Sequence, residues 1–211
     1  ILSRLQAFVE RQIEDVQING RIKIIDTEFK FTHQIEGITL SGVIDRIDQR
    51  GDALELIDYK TADSPKTPAQ AHLATVARKA PPAHLPEEAF FEHEGKIHRW
   101  TDLQLPLYLL AQSEGAATRP GIAYFNLAKT LEKSELARWD DFSPAHLDSA
   151  LACAEAVIRQ IKAGVFWPPN PDVREDYDDF APLFPDGIEN SVEASAFENY
   201  CFAPPNKEVS E

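Results

Sequence analysis

Cysteine is scarce in this chain: Cys153 and Cys201 are the only two in 211 residues, too few for a disulfide framework. A reducing cytoplasm is therefore the expected setting, and Cys153, inside a helical stripe, reads as a small core residue. Long apolar runs are absent as well. None approaches the ~20 residues a bilayer span requires, and no signal-peptide pattern opens the chain, so no membrane association is expected. Four of the six histidines (His72, His84, His93 and His98) fall in one stretch, without an H-x-x-x-H spacing, and read as loop residues rather than a zinc site. An initiating methionine is missing too. The chain opens at Ile1 in a helical pattern, which suggests a piece of a larger protein.

Basic residues are the most telling shortage. There are 21 Lys and Arg against 35 Asp and Glu, for a net charge of −14. Such a surface repels polyanions at long range. The excess is uneven: residues 170–211 hold 11 acidic side chains against Arg174 and Lys207, a net of −9, leaving −5 for the rest. Residues 170–211 are thus expected to be an acidic C-terminal extension to a domain over 1–169. What remains is ordinary for a globular protein, with 43% apolar and 27% charged residues and enough length for a proper core.

The chain is organised around Gly37–Thr61, GITLSGVIDRIDQRGDALELIDYKT. Gly51-Asp52 is a two-residue loop suited to a type II′ turn between antiparallel strands. Opposing positions then sum to 103, so Ile47 faces Leu56, Asp48 faces Glu55 and Asp45 faces Asp58. Side chains alternate, so Lys60 shares a face with Asp58. Two opposed carboxylates repel by roughly 1–4 kcal/mol at ~4 Å. A divalent cation removes that cost, because Mg²⁺ is held by one or two carboxylates, waters and phosphate oxygens. The plain alternative is a surface Asp–Lys cluster. Against it, Asp58 ends the apolar run Leu54, Leu56, Ile57, where a charge needs a reason.

Around this hairpin the pattern predicts an amphipathic helix over 1–18, with an apolar stripe of Leu2, Leu5, Phe8, Val9, Ile13 and Val16, stopped by Asn19-Gly20. A strand follows over 21–34, then a turn at Glu36-Gly37. From Ala62 to about residue 99 five prolines dissolve the pattern into a long loop, with at most a short helix over Ala69–Lys79. Thr101-x-x-Gln104 has the form of a capping box opening a helix that runs to Gly115. Gln104 and Tyr108, four apart, share one face of it. Pro120–Leu127 reads as a buried strand, and Ser143-Pro144 opens a long helix closed by Gly164. Alternating strands and helices of this kind indicate an α/β domain.

Three segments in order, GVIDRID, ELIDYKT and Gln104-Leu105-Pro106-Leu107-Tyr108, together resemble the PD-(D/E)XK nuclease superfamily and, within it, the RecB-like (AddB-like) exonuclease branch. The resemblance implies a restriction-endonuclease-like core, with a central mixed β-sheet flanked by helices. It implies Asp45 and Asp58 as metal ligands, with the Tyr59 carbonyl as a third and Glu28 on the first strand completing or supporting the site. Lys60 is then the catalytic lysine, and Gln104 and Tyr108 contact the nucleic acid. The implied cofactor is Mg²⁺ or Mn²⁺, the substrate DNA, the activity exonucleolytic, and the setting DNA repair or recombination. With so acidic a chain, helicase domains or a partner subunit are expected to deliver the DNA.

Residue-level alternatives stand beside these roles: Glu28 as an exposed strand residue, Gln104 as the cap of the Thr101 amide, Tyr108 as a core aromatic with its hydroxyl at the rim. Gly164-Val165-Phe166-Trp167-Pro168-Pro169 resembles a segment after which many relatives carry iron–sulfur cysteines. Here only Cys201 follows, and since a cluster normally takes four thiolates, none is expected. A histidine motif that RecB-like enzymes carry upstream has no candidate in this chain. A non-catalytic nuclease-fold module is the second functional reading. A glycosidase with paired carboxylates is the third, disfavoured by Lys60 on the same face.

Overall fold

A computed structural model describes residues 2–76, 85–113, 119–165, 181–186 and 191. Five strands form the main sheet: β1 (Lys23–Ile35), β2 (Ile38–Arg50), β3 (Ala53–Lys60), β7 (Gly121–Asn126) and β8 (Glu135–Arg138). They lie side by side in that order, and β3 pairs parallel with β7 while the other neighbours are antiparallel. The domain is therefore α/β with a mixed sheet.

Turn chemistry sets the register of its first three strands. Glu36 and Gly37 both have positive φ, as a type I′ turn needs, and Ile35 pairs with Ile38. At the next turn Gly51 has φ +60 while Asp52 does not turn positive, the II′ arrangement, and Arg50 pairs with Ala53. Ile47 then meets Leu56 and Asp48 meets Glu55, the register deduced from the turn.

Helices α3 (Gln104–Ser113) and α4 (Pro144–Lys162) cover one face of this sheet and α1 (Leu2–Asn19) the other. The α3 side holds the larger core, built on Ile44, Leu56, Tyr108, Leu109, Tyr124 and Trp139. The α1 side holds Ile57, Ala123 and Phe125, with Phe8 and Tyr59 against them. Alternation thus sends Leu56, Asp58 and Lys60 toward α3, and Ile57 and Tyr59 toward α1. At the start of α4, Ser143 caps the His146 amide and Pro144 occupies the first turn. Beyond His146 in the first turn, its buried residues are small ones, Ala150, Cys153, Ala154 and Ala156, so the helix packs closely.

Two expectations are corrected. The stretch 62–99 is not an unstructured loop. It carries α2 (Pro68–His72), capped by a Thr67–Gln70 box, then β4 (Leu73–Val76), β5 (Phe90–His93) and β6 (Lys96–Trp100). The three strands make a second antiparallel sheet in the order β4-β6-β5. Its strands are only four or five residues long, and Pro68 opens α2 while Pro65 and Pro86 lie outside the strands, which hides the periodicity. The helix expected over 69–79 ends at His72, and His72 is fully buried rather than on a loop.

The second correction concerns α1. Its helical period is as expected but its inward face is not. Leu2, Leu5, Val9 and Ile13 are exposed by half or more. Of the expected stripe Phe8 packs on the sheet, and beside it the covered face carries Arg4, Arg11 and Asp15. Arg11 donates to the Leu131 and Ser134 carbonyls, and Asp15 pairs with Arg50 and Arg138. Backbone carbonyls and buried ion pairs on the covered side reward polar residues there.

His84, Phe166 to Pro169, Cys201 and most of the acidic extension lie outside the described residues. Among the described residues no helix is long and apolar enough to cross a membrane.

Candidate active site

β2 and β3 part company where the carboxylates lie. Their last paired residues are Arg46 and Ile57, yet β3 continues beside β7 to the Lys60–Asn126 pair. The sheet therefore forks. Asp45 and Asp58, expected to face each other in a closed ladder, instead flank this opening. The Tyr59 amide that a continued ladder would have used is met by the Asp45 carboxylate, Oδ2 accepting at 2.8 Å. The Lys60 carbonyl accepts from Leu127 on the β7 side. Backbone groups alternate along a strand, so the Tyr59 carbonyl, like its amide, faces the fork.

Asp58 is buried and Lys60 is half-buried beside it, its ammonium 2.7 Å from Asp58 Oδ2. The same ammonium donates to Gln104 Oε1 at 2.7 Å, and Gln104 Nε2 donates to Asp58 Oδ1 at 2.9 Å and to the Tyr108 hydroxyl at 2.8 Å. A side-chain amide accepts from the ammonium through its oxygen while its nitrogen donates to the carboxylate and still has an N–H for Tyr108. Asp58, Lys60, Gln104 and Tyr108 thus form one hydrogen-bonded network, with Asp45 at its rim.

Gln104 does not cap Thr101. The Thr101 hydroxyl donates to the Ala71 carbonyl, α3 begins at Gln104 itself, and the Gln104 amide is met by Asp102 Oδ1 at 2.7 Å. With its amide served by Asp102, the Gln104 side chain is free to enter the site. Tyr108 is a core aromatic with its hydroxyl in the network, packed edge-on to Phe31 at 5.6 Å between ring centres. Phe31 in turn lies over Gly42, where a Cβ would fall 2.6 Å from its ring. The glycine of GVID is thereby explained, since the strand must be bare there for Phe31 to reach Tyr108.

Glu28 sits on β1 between Thr27, which pairs with Arg46, and Phe29, which pairs with Ile44, and so lies level with Asp45. It is exposed, with φ +54. That left-handed backbone is unusual for glutamate and interrupts the ladder beside the fork. Among the described residues no hydrogen bond or ion pair draws Glu28 into the network.

Burial pushes the Asp58 carboxyl above its ordinary range, Lys60 draws it back only in part, and the Asp45 charge adds to the rise. Burial likewise pushes the Tyr108 hydroxyl up to about 12, so it stays protonated as a donor. Despite the ion pair, Asp58 Oδ2 has no aligned hydrogen-bond donor although it is buried. A buried carboxylate oxygen with spare lone pairs, a second carboxylate across the fork and a backbone carbonyl make a hard, oxygen-only donor set. It suits a cation such as Mg²⁺ that keeps several waters. Among the described residues no three His, Cys, Asp or Glu side chains form a complete cage, so the remaining positions would fall to water and substrate.

Three features of the site escape sequence reasoning. His72 reaches from α2 to the Tyr124 hydroxyl at 2.8 Å. Asp102 starts α3. On the α1 face, the buried pair Arg46–Asp48 is bidentate at 2.6–2.7 Å, and Arg46 also donates to the Tyr59 hydroxyl at 3.3 Å. Only the GVIDRID segment hinted at the last, through a second aspartate at i+3 from Asp45.

A family model of the PD-(D/E)XK nuclease superfamily matches residues 2–174. No curated protein matches the chain.

Proposed function

From the premise that this chain belongs to the PD-(D/E)XK nuclease superfamily, we propose that it is a divalent-metal-dependent DNA nuclease domain whose centre is Asp45, Asp58 and Lys60. The observation that carries this reading is the fork itself, where a buried carboxylate, one oxygen of which has an ion-pair partner in Lys60 but no aligned hydrogen-bond donor among the described residues, lies across from a second carboxylate. Asp45, Asp58 and the Tyr59 carbonyl would hold Mg²⁺ or Mn²⁺, and Glu28, level with Asp45, is the residue able to join from β1. The ion when bound supplies a Lewis acid that offsets charge on the scissile phosphate.

The chain's own residues do the rest. Lys60, one third exposed, presents its ammonium at the mouth, where it neutralises charge developing on a phosphate oxygen and orders the attacking water. Gln104 keeps that ammonium beside Asp58, and Tyr108 fixes Gln104, so both act on the substrate side of the site. Exonucleolytic action within a helicase–nuclease assembly, in DNA repair or recombination in the cytoplasm, completes the proposal. It is supported by the order and spacing of the three motifs and by an acidic chain that needs partner domains to bring DNA to it.

Incubation with labelled single- and double-stranded DNA tests the reading. Wild type cleaves with Mg²⁺ or Mn²⁺ and not with EDTA, while Asp58→Asn and Lys60→Ala lose about 10³-fold or more, the scale of losing a preorganised charge. A wild type that cuts neither substrate with either metal refutes it.

A further inference from the structure

Lys60 has a third anchor besides Asp58 and Gln104. Its ammonium lies over the face of the Tyr124 ring, 4.9 Å from the centroid. Tyr124 is the β7 residue paired with Asp58, so its side chain leaves the sheet on the same face, and it is almost wholly buried. Its hydroxyl meets His72 Nε2 at 2.8 Å, and His72 Nδ1 meets the Asp102 carbonyl at 2.8 Å. A carbonyl can only accept, so Nδ1 carries the imidazole proton and Nε2 accepts from the Tyr124 hydroxyl. His72 is itself wedged against Trp139, with rings stacked at 5.3 Å. The ring under Lys60 is thus held at its far end by the segment that joins α2 to the second sheet.

We propose that Tyr124, oriented by His72, is a positioning residue for Lys60 in phosphodiester cleavage. An ammonium has three N–H bonds; one is donated to Gln104, and Asp58 holds the charge as an ion pair at 2.7 Å. A ring face attracts the charge without consuming another N–H. It therefore restrains the ammonium while leaving one donor for a substrate oxygen. The proposal rests on the nuclease reading but depends on a contact that can be read without turnover.

The test pairs a spectroscopic arm with a kinetic one, using Tyr124→Leu and Tyr124→Phe with the fold of each checked by thermal melting. In ¹³C-lysine spectra the Lys60 ε-methylene, assigned through Lys60→Arg, is shifted upfield by the ring in wild type and in Tyr124→Phe. In Tyr124→Leu it moves to the position of a lysine with no aromatic neighbour. In DNA cleavage Tyr124→Leu lowers kcat about 10-fold with KM within about twofold, and Tyr124→Phe recovers most of that loss. A Lys60 resonance that ignores Tyr124→Leu, or a folded Tyr124→Leu with wild-type kcat, overturns the proposal and leaves the nuclease reading standing. A wild type that cuts no DNA refutes the nuclease reading and the catalytic role together, while the resonance still reports whether the ring holds the ammonium.

Discussion

Asp58 is the residue at which stability and function oppose each other. Burial raises its pKa, which means the folded chain holds its charged form at a cost relative to the unfolded chain. The sign follows directly: its contribution to stability is present at acid pH and is lost as pH rises through the elevated folded pKa. At neutral pH the metal-free protein is therefore strained there. Asp58→Asn is expected to raise the melting temperature of the metal-free protein by about 2–4 °C, the shift for roughly 1 kcal/mol in a chain this long. Wild type alone gains further stability from millimolar Mn²⁺, because a ligand that binds only the folded state shifts the melt. Differential scanning calorimetry with and without Mn²⁺ measures both. An Asn variant that melts lower than wild type in EDTA counts against the burial argument. Cys153 shows the inert counterpart of such a group. Burial pushes its thiol up to about 11, so it stays uncharged and acts as packing volume.

At the scale of elements, α1 shows how a correct period can still leave most of an apolar stripe uncovered. Leu5 and Ile13, apolar and in the expected stripe, are each more than half exposed. Phe8, from the same expected stripe, packs against Tyr59 and Phe125 with ring centres 6.0 and 4.8 Å away. Leu5→Ala and Ile13→Ala should change stability by about 0.5 kcal/mol or less, whereas Phe8→Ala should cost about 2–3 kcal/mol. Urea denaturation of the three variants decides it, and equal losses for Ile13 and Phe8 would mean that the whole expected stripe is covered. The hairpin is the opposite case. Its register was legible to the residue, because a two-residue turn and a period of two leave no freedom. The fork beyond Arg46–Ile57 was not legible, since it depends on β3 following β7 rather than β2, a choice made by a strand some sixty residues away. β8 was also missed, as Glu135–Arg138 is four residues long with two of them charged.

Across the whole molecule the second sheet is joined to the main one largely through buried aromatic and imidazole rings. His72 lies among Tyr124 and Trp139, and His146 at the start of α4 lies among Phe91, His93 and Phe142. Burial lowers the pKa of both imidazoles from 6.5, and the neighbouring His93, His98 and Arg119 press His146 further down while Asp141 opposes them. A histidine with a depressed folded pKa binds its proton less readily folded than unfolded. Its contribution to stability is thus full above pH 6.5 and lost as pH falls below it. The melting temperature should therefore drop between about pH 7 and about pH 5, before most carboxylates protonate. In the folded protein the imidazoles of His72 and His146 should titrate below the ordinary value of 6.5. Either resonance titrating at its ordinary value in the folded protein would contradict this.

What the sequence determined by itself was local: the two turns, the hairpin register, the shared face of Asp58 and Lys60, the capped start of α4, and the order of three motifs. Each depends on residues close together in the chain, where turn geometry and side-chain alternation act without help. The tertiary structure alone decided which face of α1 is covered, that the proline-rich stretch is a small sheet, and that the strands fork at the carboxylates. It also decided that Gln104, Tyr124 and His72 arrive around Lys60 from three separate elements. Those outcomes turn on burial and on contacts between distant segments, and burial is what raises the Asp58 pKa and leaves its second oxygen without an aligned donor.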